Sequence, residues 1–404
     1  MTNMKKVLFI LSNMSMGGAE RTVSNITLYL SNEWHADILL NDTDDICFQI
    51  KGDLKSLNMK RPNSVMHYWY QLRVLVKRFF RLRYYKKNGC YDAYISFMDS
   101  SNIANLLSKT KGNYQTILSL RNSIKEHDDR IFYRFVICPL LKKLYQRADY
   151  IVTVSAEIEE QMKQKFPGIQ RKLITINNGY DIKLIQKLMQ CQIPQEKAYF
   201  YHGKFVIASM GRLSAQKGQW HLIRAFSQLA KKYEYVNLII MGEGEERPYL
   251  EELIQGYQLA GRVLLTGNVE NPFSYLKSAQ VFTLSSMYEG FPNALAEAMC
   301  CELPCIVTDF KTGAREIMHN GKAIPNDMRH FFCADYGIIT ELCNGVQYSF
   351  RDVLTEEENM LKDAIEELLI NDRLRAKYRQ ASKKRAEELD IVNVIKQWEK
   401  IMMK

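Results

Sequence analysis

Short apolar runs rich in β-formers alternate along this chain with longer stretches whose apolar positions recur every three or four residues. That alternation predicts parallel sheets whose strands are joined by crossover helices. In the first half the strand candidates are Lys6 to Leu11, Ala36 to Asn41, Ala93 to Phe97, Thr116 to Leu120, Tyr150 to Val154 and Leu173 to Ile176. Between the first two, Ala19 to Leu30 reads as a helix with Val23, Ile26 and Leu30 as its buried stripe. Asn177-Asn178-Gly179 is a turn, and the polar helical stretch after it ends in Ile193-Pro194-Gln195, where we place a domain boundary. The alternation then restarts with Lys204 to Met210, Asn237 to Met241, Val263 to Thr266, Val281 to Ser286, Pro304 to Thr308 and Gly337 to Thr340. From Thr355 onward the chain is strongly helical. The expected class is α/β: two doubly wound domains, with ligands taken at the carboxyl ends of the strands.

Composition narrows the class. A chain of 404 residues suits two domains of ordinary size, and 47% hydrophobic with 25% charged residues is globular and soluble in type. No apolar run approaches the roughly 20 residues of a membrane span. Lys5 to Leu11 is read as a first strand rather than a signal peptide, being short and without a cleavage site. The nine cysteines contain no Cys-x-x-Cys pair, which implies reduced cytosolic thiols and no zinc site. Cys300, Cys301 and Cys305 read as small buried hydrophobes.

The net charge of +10 is concentrated, because residues 60–87 hold nine Lys or Arg and no acid. On a helical wheel Val65, Tyr68, Trp69, Leu72, Leu75, Val76 and Phe79 share one face, opposite Arg73, Lys77, Arg78 and Arg81. Such a helix lies on an anionic membrane surface, or packs on its own domain and leaves a solvated basic face.

Several junctions carry candidate chemistry. Met287 to Met299 places Glu289 on a loop and Glu297 eight residues later on a helix expected to start with Pro292 as its first residue. Two carboxylates beside a positive helix end suit a ligand that offers phosphate to amides and hydroxyls to acids, as a sugar nucleotide does; the plainer alternative is charge that offsets the helix dipole. Gly211-Arg212-Leu213-Ser214-Ala215-Gln216-Lys217-Gly218 follows a strand, and its Arg and Lys can clamp a diphosphate. Gly17 and Gly18 open a helix after the first strand and allow an anion to approach the backbone. Gly242-Glu243-Gly244 only partly imitates the dinucleotide fingerprint, since Arg247 replaces the third glycine; a tight turn beside the same site is the expected role.

Taken together these segments resemble the retaining GT-B glycosyltransferases of family four. The resemblance covers almost the whole chain. It rests on Gly17-Gly18-Ala19-Glu20-Arg21, Gly211-Arg212-Leu213 with Lys217-Gly218, Gly242-Glu243-Gly244, Gly267-Asn268-Val269, Glu289-Gly290-Phe291-Pro292 with Glu297-Ala298-Met299, Leu303-Pro304 and Gly313-Ala314-Arg315-Glu316-Ile317. It implies two Rossmann-like domains facing a cleft, an acceptor domain over 1–190 and a donor domain over 200–385, with a helix over 386–404 packing back on the first. It further implies that Arg212 and Lys217 neutralise the donor diphosphate, that Glu297 holds the ribose and that Glu289 lies by the sugar. Gly18, Gly211, Val269, Gly290, Phe291, Pro292 and Asn293 would complete the donor pocket. Fixed cations then stabilise the departing nucleotide, so no metal and no cofactor are expected.

Two positions depart from the family pattern. Where many relatives carry a histidine, Leu118 to Ser123 offers Arg121 and Asn122, which with Gly17 are assigned to the acceptor or a phosphate. Glu302 stands where relatives have glycine. Ile95 to Asn102 looks like enzymes that elongate lipid-linked oligosaccharides for O-antigens, capsules or glycans, so the expected substrates are a nucleotide sugar, UDP by family habit, and a saccharide on polyprenyl diphosphate. The basic stretch with Arg73, Lys77, Arg78 and Arg81 would then hold the enzyme at the cytoplasmic face of the membrane. Three other readings compete. A metal-dependent GT-A transferase using Asp42-Thr43-Asp44 conflicts with two Rossmann-like halves. A basic membrane scaffold or nucleic-acid binder leaves both glutamates unexplained. A sugar-nucleotide epimerase of similar shape would need no acceptor.

Overall fold

The computed structural model describes residues 4–15, 17–60, 67–121, 138–310, 312–325 and 328–403. They form two compact units, Met1–Gly179 with Ile391–Lys404, and Tyr180–Asp390. In chain order the strands are β1 (Lys5–Ile10), β2 (Trp34–Leu40), β3 (Asp53–Ser56), β4 (Ala93–Phe97), β5 (Gln115–Leu120), β6 (Tyr150–Thr153), β7 (Leu173–Thr175), β8 (Phe205–Met210), β9 (Val236–Met241), β10 (Val263–Leu265), β11 (Val281–Leu284), β12 (Cys305–Thr308), β13 (Phe332–Cys333) and β14 (Ile338–Thr340). The helices are α1 (Gly18–Tyr29), α2 (His67–Lys87), α3 (Asp99–Leu107), α4 (Cys138–Tyr145), α5 (Ala156–Lys165), α6 (Ile182–Leu188), α7 (Gln195–Ala198), α8 (Gln219–Lys232), α9 (Arg247–Gly256), α10 (Pro272–Ser278), α11 (Asn293–Cys300), α12 (Ala314–His319), α13 (Glu356–Ile370), α14 (Asp372–Glu388) and α15 (Ile391–Met402).

The first unit is a parallel sheet in the order β3-β2-β1-β4-β5-β6-β7, reversing direction of growth between β1 and β4. Its central strands are covered on both faces and therefore read as continuous apolar runs. Val23 and Ile26 of α1 and Ile395 and Trp398 of α15 pack with Val7, Phe9 and Ile95 in one core. The edge strand β3, Asp-Leu-Lys-Ser, has no apolar run to announce it and is held by backbone pairing with β2.

The first unit ends at Gly179, earlier than the boundary read near 190. Helix α6 packs on α10 and α11, and the Asn271 side chain donates to the Leu188 carbonyl at 2.8 Å, so this polar helix belongs to the second unit. The chain returns to the first unit at Ile391, beside Gly179, where a β-carbon would meet the Ile391 side chain at 2.7 Å.

Helix α2 forms but is rotated from the orientation the wheel predicted. Arg78, assigned to the membrane face, is fully buried: it donates to Asn41 Oδ1 at 2.6 Å, to the Leu11 carbonyl and to Ser100, and burial lowers its pKa to about 10. Lys86 is buried likewise, donating to the Asn105 carbonyl and side chain at 2.6 and 2.7 Å. The stripe that meets the domain is Val74, Arg78, Leu82 and Lys86, four residues apart, whereas Trp69, Leu72 and Val76 are exposed. The wheel counted cations as solvent-facing, and the buried acceptors of the domain reverse that choice for two of them. Val65 lies outside the described residues, as does the side chain of Tyr68.

The second unit has the order β10-β9-β8-β11-β12-β14-β13, parallel except for the two-residue strand β13 at its edge. Trp220, Ile223 and Phe226 of α8 and Leu361, Ile365 and Leu368 of α13 pack on Ile207 and Leu238. Among these apolar residues sits a buried polar triad. Glu358 accepts from Arg224 Nε at 2.8 Å and lies 2.7 Å from His221 Nδ1, while closing a capping box with Thr355 at the start of α13. Cys300, Cys301 and Cys305 are buried, and burial pushes the thiols of Cys301 and Cys305 up, out of the reactive range.

Candidate active site

In an open parallel sheet the crevice outside the carboxyl ends of the strands opens where the strand order reverses. In the second unit that point lies between β8 and β11, and the loops leaving these two strands carry Lys217 and Glu289. The β8 loop makes a 3-10 turn over Ala215–Lys217 and passes into α8 through Gly218, whose φ of 56° is left-handed. A β-carbon on Gly218 would meet the Ser285 carbonyl at 2.6 Å, so glycine is what lets the two loops touch. They are also stitched by hydrogen bonds: Met287 N–H to the Gln216 carbonyl at 2.7 Å, the Gln216 side chain to the Tyr288 carbonyl at 2.8 Å, and Ser285 Oγ to the Lys217 carbonyl at 3.1 Å.

On this frame the Lys217 ammonium forms an ion pair with Glu289 Oε1, which also accepts from Ser286 Oγ at 2.9 Å. The side chains are 17% and 9% exposed, so the pair faces the crevice from a sheltered position. Arg212 is not gathered into it. Its guanidinium is 72% exposed and lies 3.0 Å from Glu245, an exposed pairing that a phosphate can replace at little cost. The Arg212 backbone is fixed, its carbonyl accepting from Gln219 at 2.9 Å.

Glu297 is buried on α11. Pro292 is the cap before that helix rather than its first residue, which is Asn293, because its ψ of 84° is not helical. Asn293 Oδ1 accepts from the Tyr180 hydroxyl at 2.5 Å, a tie that the pattern of the sequence did not announce. Behind the Glu289 loop, Thr308 donates to the Ser286 carbonyl, and Thr312 to the Glu289 carbonyl. At Gly313 a β-carbon would meet Pro292 Cδ at 2.6 Å. The Gly313 to Ile317 motif thus serves as the backing of Gly290, Phe291 and Pro292. Gly242 and Gly244 have a similar use: β-carbons there would lie 2.1 and 2.2 Å from the carbonyls of Gly211 and Leu213. Gly267 accepts from the Gly242 N–H at 2.9 Å, which brings the half-buried Val269 to the same end of the sheet. Glu302, with a φ of 59°, sits just past the end of α11 in the left-handed conformation that glycine favours, and pairs with Lys383 at 3.1 Å.

The first unit presents its own set at the carboxyl ends of β1, β4 and β5. Arg121 donates to Asn178 Oδ1 at 2.5 Å, and its guanidinium lies 5.0 Å from the Phe97 ring centroid. Thr22 Oγ1 also donates to Asn178, at 3.1 Å. Glu20 turns back on Gly17, and burial raises its carboxyl above the usual range although Arg121 acts to lower it. Asn178 reads in the sequence only as a turn residue. Gly18 begins α1, and Asn122 lies outside the described residues. Asp42 and Asp44 occupy an exposed loop, where Asp44 pairs with Lys60 at 2.6 Å.

Comparison with known proteins identifies this frame. The model of the family "Glycosyl transferases group 1" matches residues 193–385. An uncharacterized glycosyltransferase of Methanocaldococcus jannaschii is 33% identical over 318 residues, 76% of this chain and 78% of its own. The chain belongs to the group 1 glycosyl transferases. This glycosyltransferase is also 27% identical, over 402 residues and 97% of each chain, to the N-acetylgalactosamine-N,N'-diacetylbacillosaminyl-diphospho-undecaprenol 4-alpha-N-acetylgalactosaminyltransferase of Campylobacter jejuni. The structure of Anabaena HepE in complex with UDP and glucose aligns with a TM-score of 0.71 and 19% identity, over 98% of this chain and 99% of that one. The fold is GT-B. The Lys217 and Glu289 loops lie at the reversal of the second sheet, where open α/β sheets take their ligands.

Proposed function

We propose that the enzyme is a retaining, metal-independent transferase that moves a hexose or N-acetylhexosamine from a UDP-sugar to a saccharide carried on polyprenyl diphosphate. It would serve cell-surface polysaccharide or glycan assembly, peripherally at the inner face of the membrane. The observation that carries this reading is the Lys217–Glu289 pair at the β8–β11 reversal, with Glu297 on the following helix and Arg212 exposed on the same loop as Lys217. When the bond between the sugar C1 and the phosphate oxygen breaks, negative charge grows on the diphosphate and positive charge on the sugar. Lys217, joined by Arg212 as it exchanges Glu245 for the diphosphate, compensates the first, and the Glu289 carboxylate the second. These cations take the part that a divalent ion plays in other transferases. Glu297 is assigned to the ribose hydroxyls, and Arg121 to the acceptor. UDP is favoured because the Anabaena relative binds it. The lipid-linked acceptor is favoured because the Campylobacter relative, similar along its whole length, is named for one. That name also specifies an α linkage, and an α product from an α-linked UDP donor is retention.

The test offers UDP- and GDP-sugars with a saccharide on polyprenyl diphosphate, scores nucleotide release with and without excess chelator, and reads the anomeric configuration of the product. Acceptor-dependent UDP release that survives chelator and yields an α product is expected. Release without acceptor, loss of activity in chelator or an inverted product each removes the corresponding part of the proposal.

A further inference from the structure

Amphipathic helices ordinarily turn their apolar stripe toward the core. Helix α2 does the opposite along much of its length. Trp69 is 66%, Leu72 50%, Val76 46%, Phe80 63% and Tyr84 62% exposed, a single stripe along the helix. Arg73, Lys77 and Arg81 run beside it, and together they border an open apolar groove of about 800 Å³. The orientation is fixed by Arg78 and Lys86. Rotating the stripe inward would withdraw these cations from Asn41, Asn105 and Ser108 and leave buried acceptors without donors. Exposure of the stripe is therefore built into the fold.

We infer that this face of α2 is the surface by which the enzyme seats itself on an anionic bilayer. Trp69, Leu72 and Phe80 enter the boundary between headgroups and acyl chains, while Arg73, Lys77 and Arg81 meet lipid phosphates. The inference rests on the reading that the acceptor is lipid-linked, and it adds the element, the face and the mode of contact. Charge decides the occupant: the cations on this face are Arg73, Lys77 and Arg81, and residues 60–87 contain no acid to offset them. A second copy of the same face would set cation against cation, whereas anionic headgroups complement it. Trp and Tyr at the ends of the stripe suit the interfacial layer. No described helix is long and apolar enough to cross a membrane, so α2 lies along the surface.

Co-sedimentation of the full chain with vesicles of phosphatidylglycerol and phosphatidylethanolamine, against phosphatidylcholine alone, tests this without any nucleotide sugar. The parent should favour the anionic vesicles. Trp69→Ser with Phe80→Ser should weaken partition about a hundredfold, roughly tenfold per side chain. Arg73→Ser, Lys77→Ser and Arg81→Ser together should abolish the preference for anionic lipid. Both variants should keep the parent turnover on a short acceptor without lipid, which shows that they are folded. Parent-like partition of the Trp69, Phe80 variant overturns the inference. So does a parent dimer in sedimentation velocity that this variant converts to monomer, since the face then belongs to a second copy. If the parent binds vesicles but transfers no sugar, the function proposed above fails while the bilayer surface stands.

Discussion

Lys217 and Glu289, 72 residues apart in sequence, form one ion pair across the loops that leave β8 and β11. Each restrains the other, so the two act as a unit. Glu289→Gln should lower kcat by roughly 10²–10³, the scale of losing one preorganised electrostatic group at a reacting centre. Lys217→Ala should lower kcat and raise the donor KM, because the ammonium is assigned to the ground-state diphosphate as well. The double variant should be little worse than the poorer single one. Steady-state kinetics on all three decides it: losses that multiply would show that the pair is not a functional unit.

Glu302 turns a departure from the family pattern into a stability prediction. A left-handed conformation costs a residue other than glycine about 1–2 kcal/mol, and the solvent-screened Lys383–Glu302 pair returns little of it. Glu302→Gly should therefore raise the melting temperature of the second unit by about 2–4 °C. Glu302→Ala, which keeps the strain and loses the pair, should not. Calorimetry of the two variants separates backbone strain from the ion pair.

The buried triad gives the second unit an acid limit. Burial alone would raise the Glu358 carboxyl, but hydrogen bonds from His221, Arg224 and the Thr355 backbone outweigh it and hold the group below its usual value. A carboxyl lower in the folded state than in the unfolded one, where it titrates near about 4.3, stabilises fully above that pH. The contribution disappears as pH falls through the folded value. Melting temperature should thus drop steeply below about pH 4 in the parent. Glu358→Gln should be less stable at neutral pH, having left Arg224 buried without its anion, and should show a shallower acid slope. An unchanged slope would count against Glu358 as the group responsible.

The strand pattern was legible wherever a strand is buried on both faces, as in β1, β4, β8 and β11, because burial selects continuous apolar runs. It was illegible at β3 and β13, short edge strands held by backbone pairing that leaves no mark on side-chain choice. Lys217 and Glu289 could be found because glycine and proline mark the loops that hold them. Asn178 could not, since its partner Arg121 lies 57 residues away and asparagine in a turn needs no further reason. Helix α2 failed in face rather than in kind. Polarity says which residues prefer water, but buried asparagines at positions 41 and 105 can outbid water for a cation, and only the assembled fold supplies them.

Arg121 provides the test of the acceptor side. Its guanidinium is fixed by Asn178 at 2.5 Å and by the face of Phe97, a combination that needs a planar, forked cation. Lysine keeps the charge but cannot stack or hold the same direction. If Arg121 meets the acceptor, Arg121→Lys should raise the acceptor KM about tenfold, one lost charged contact at about 1.4 kcal/mol, and leave the donor KM as it was. Asn178→Ala should shift the same constant in the same direction by a smaller factor, because it frees the guanidinium without removing it. Kinetics with each substrate varied in turn distinguishes the two sides. A rise in the donor KM instead would move Arg121 from the acceptor to the nucleotide sugar.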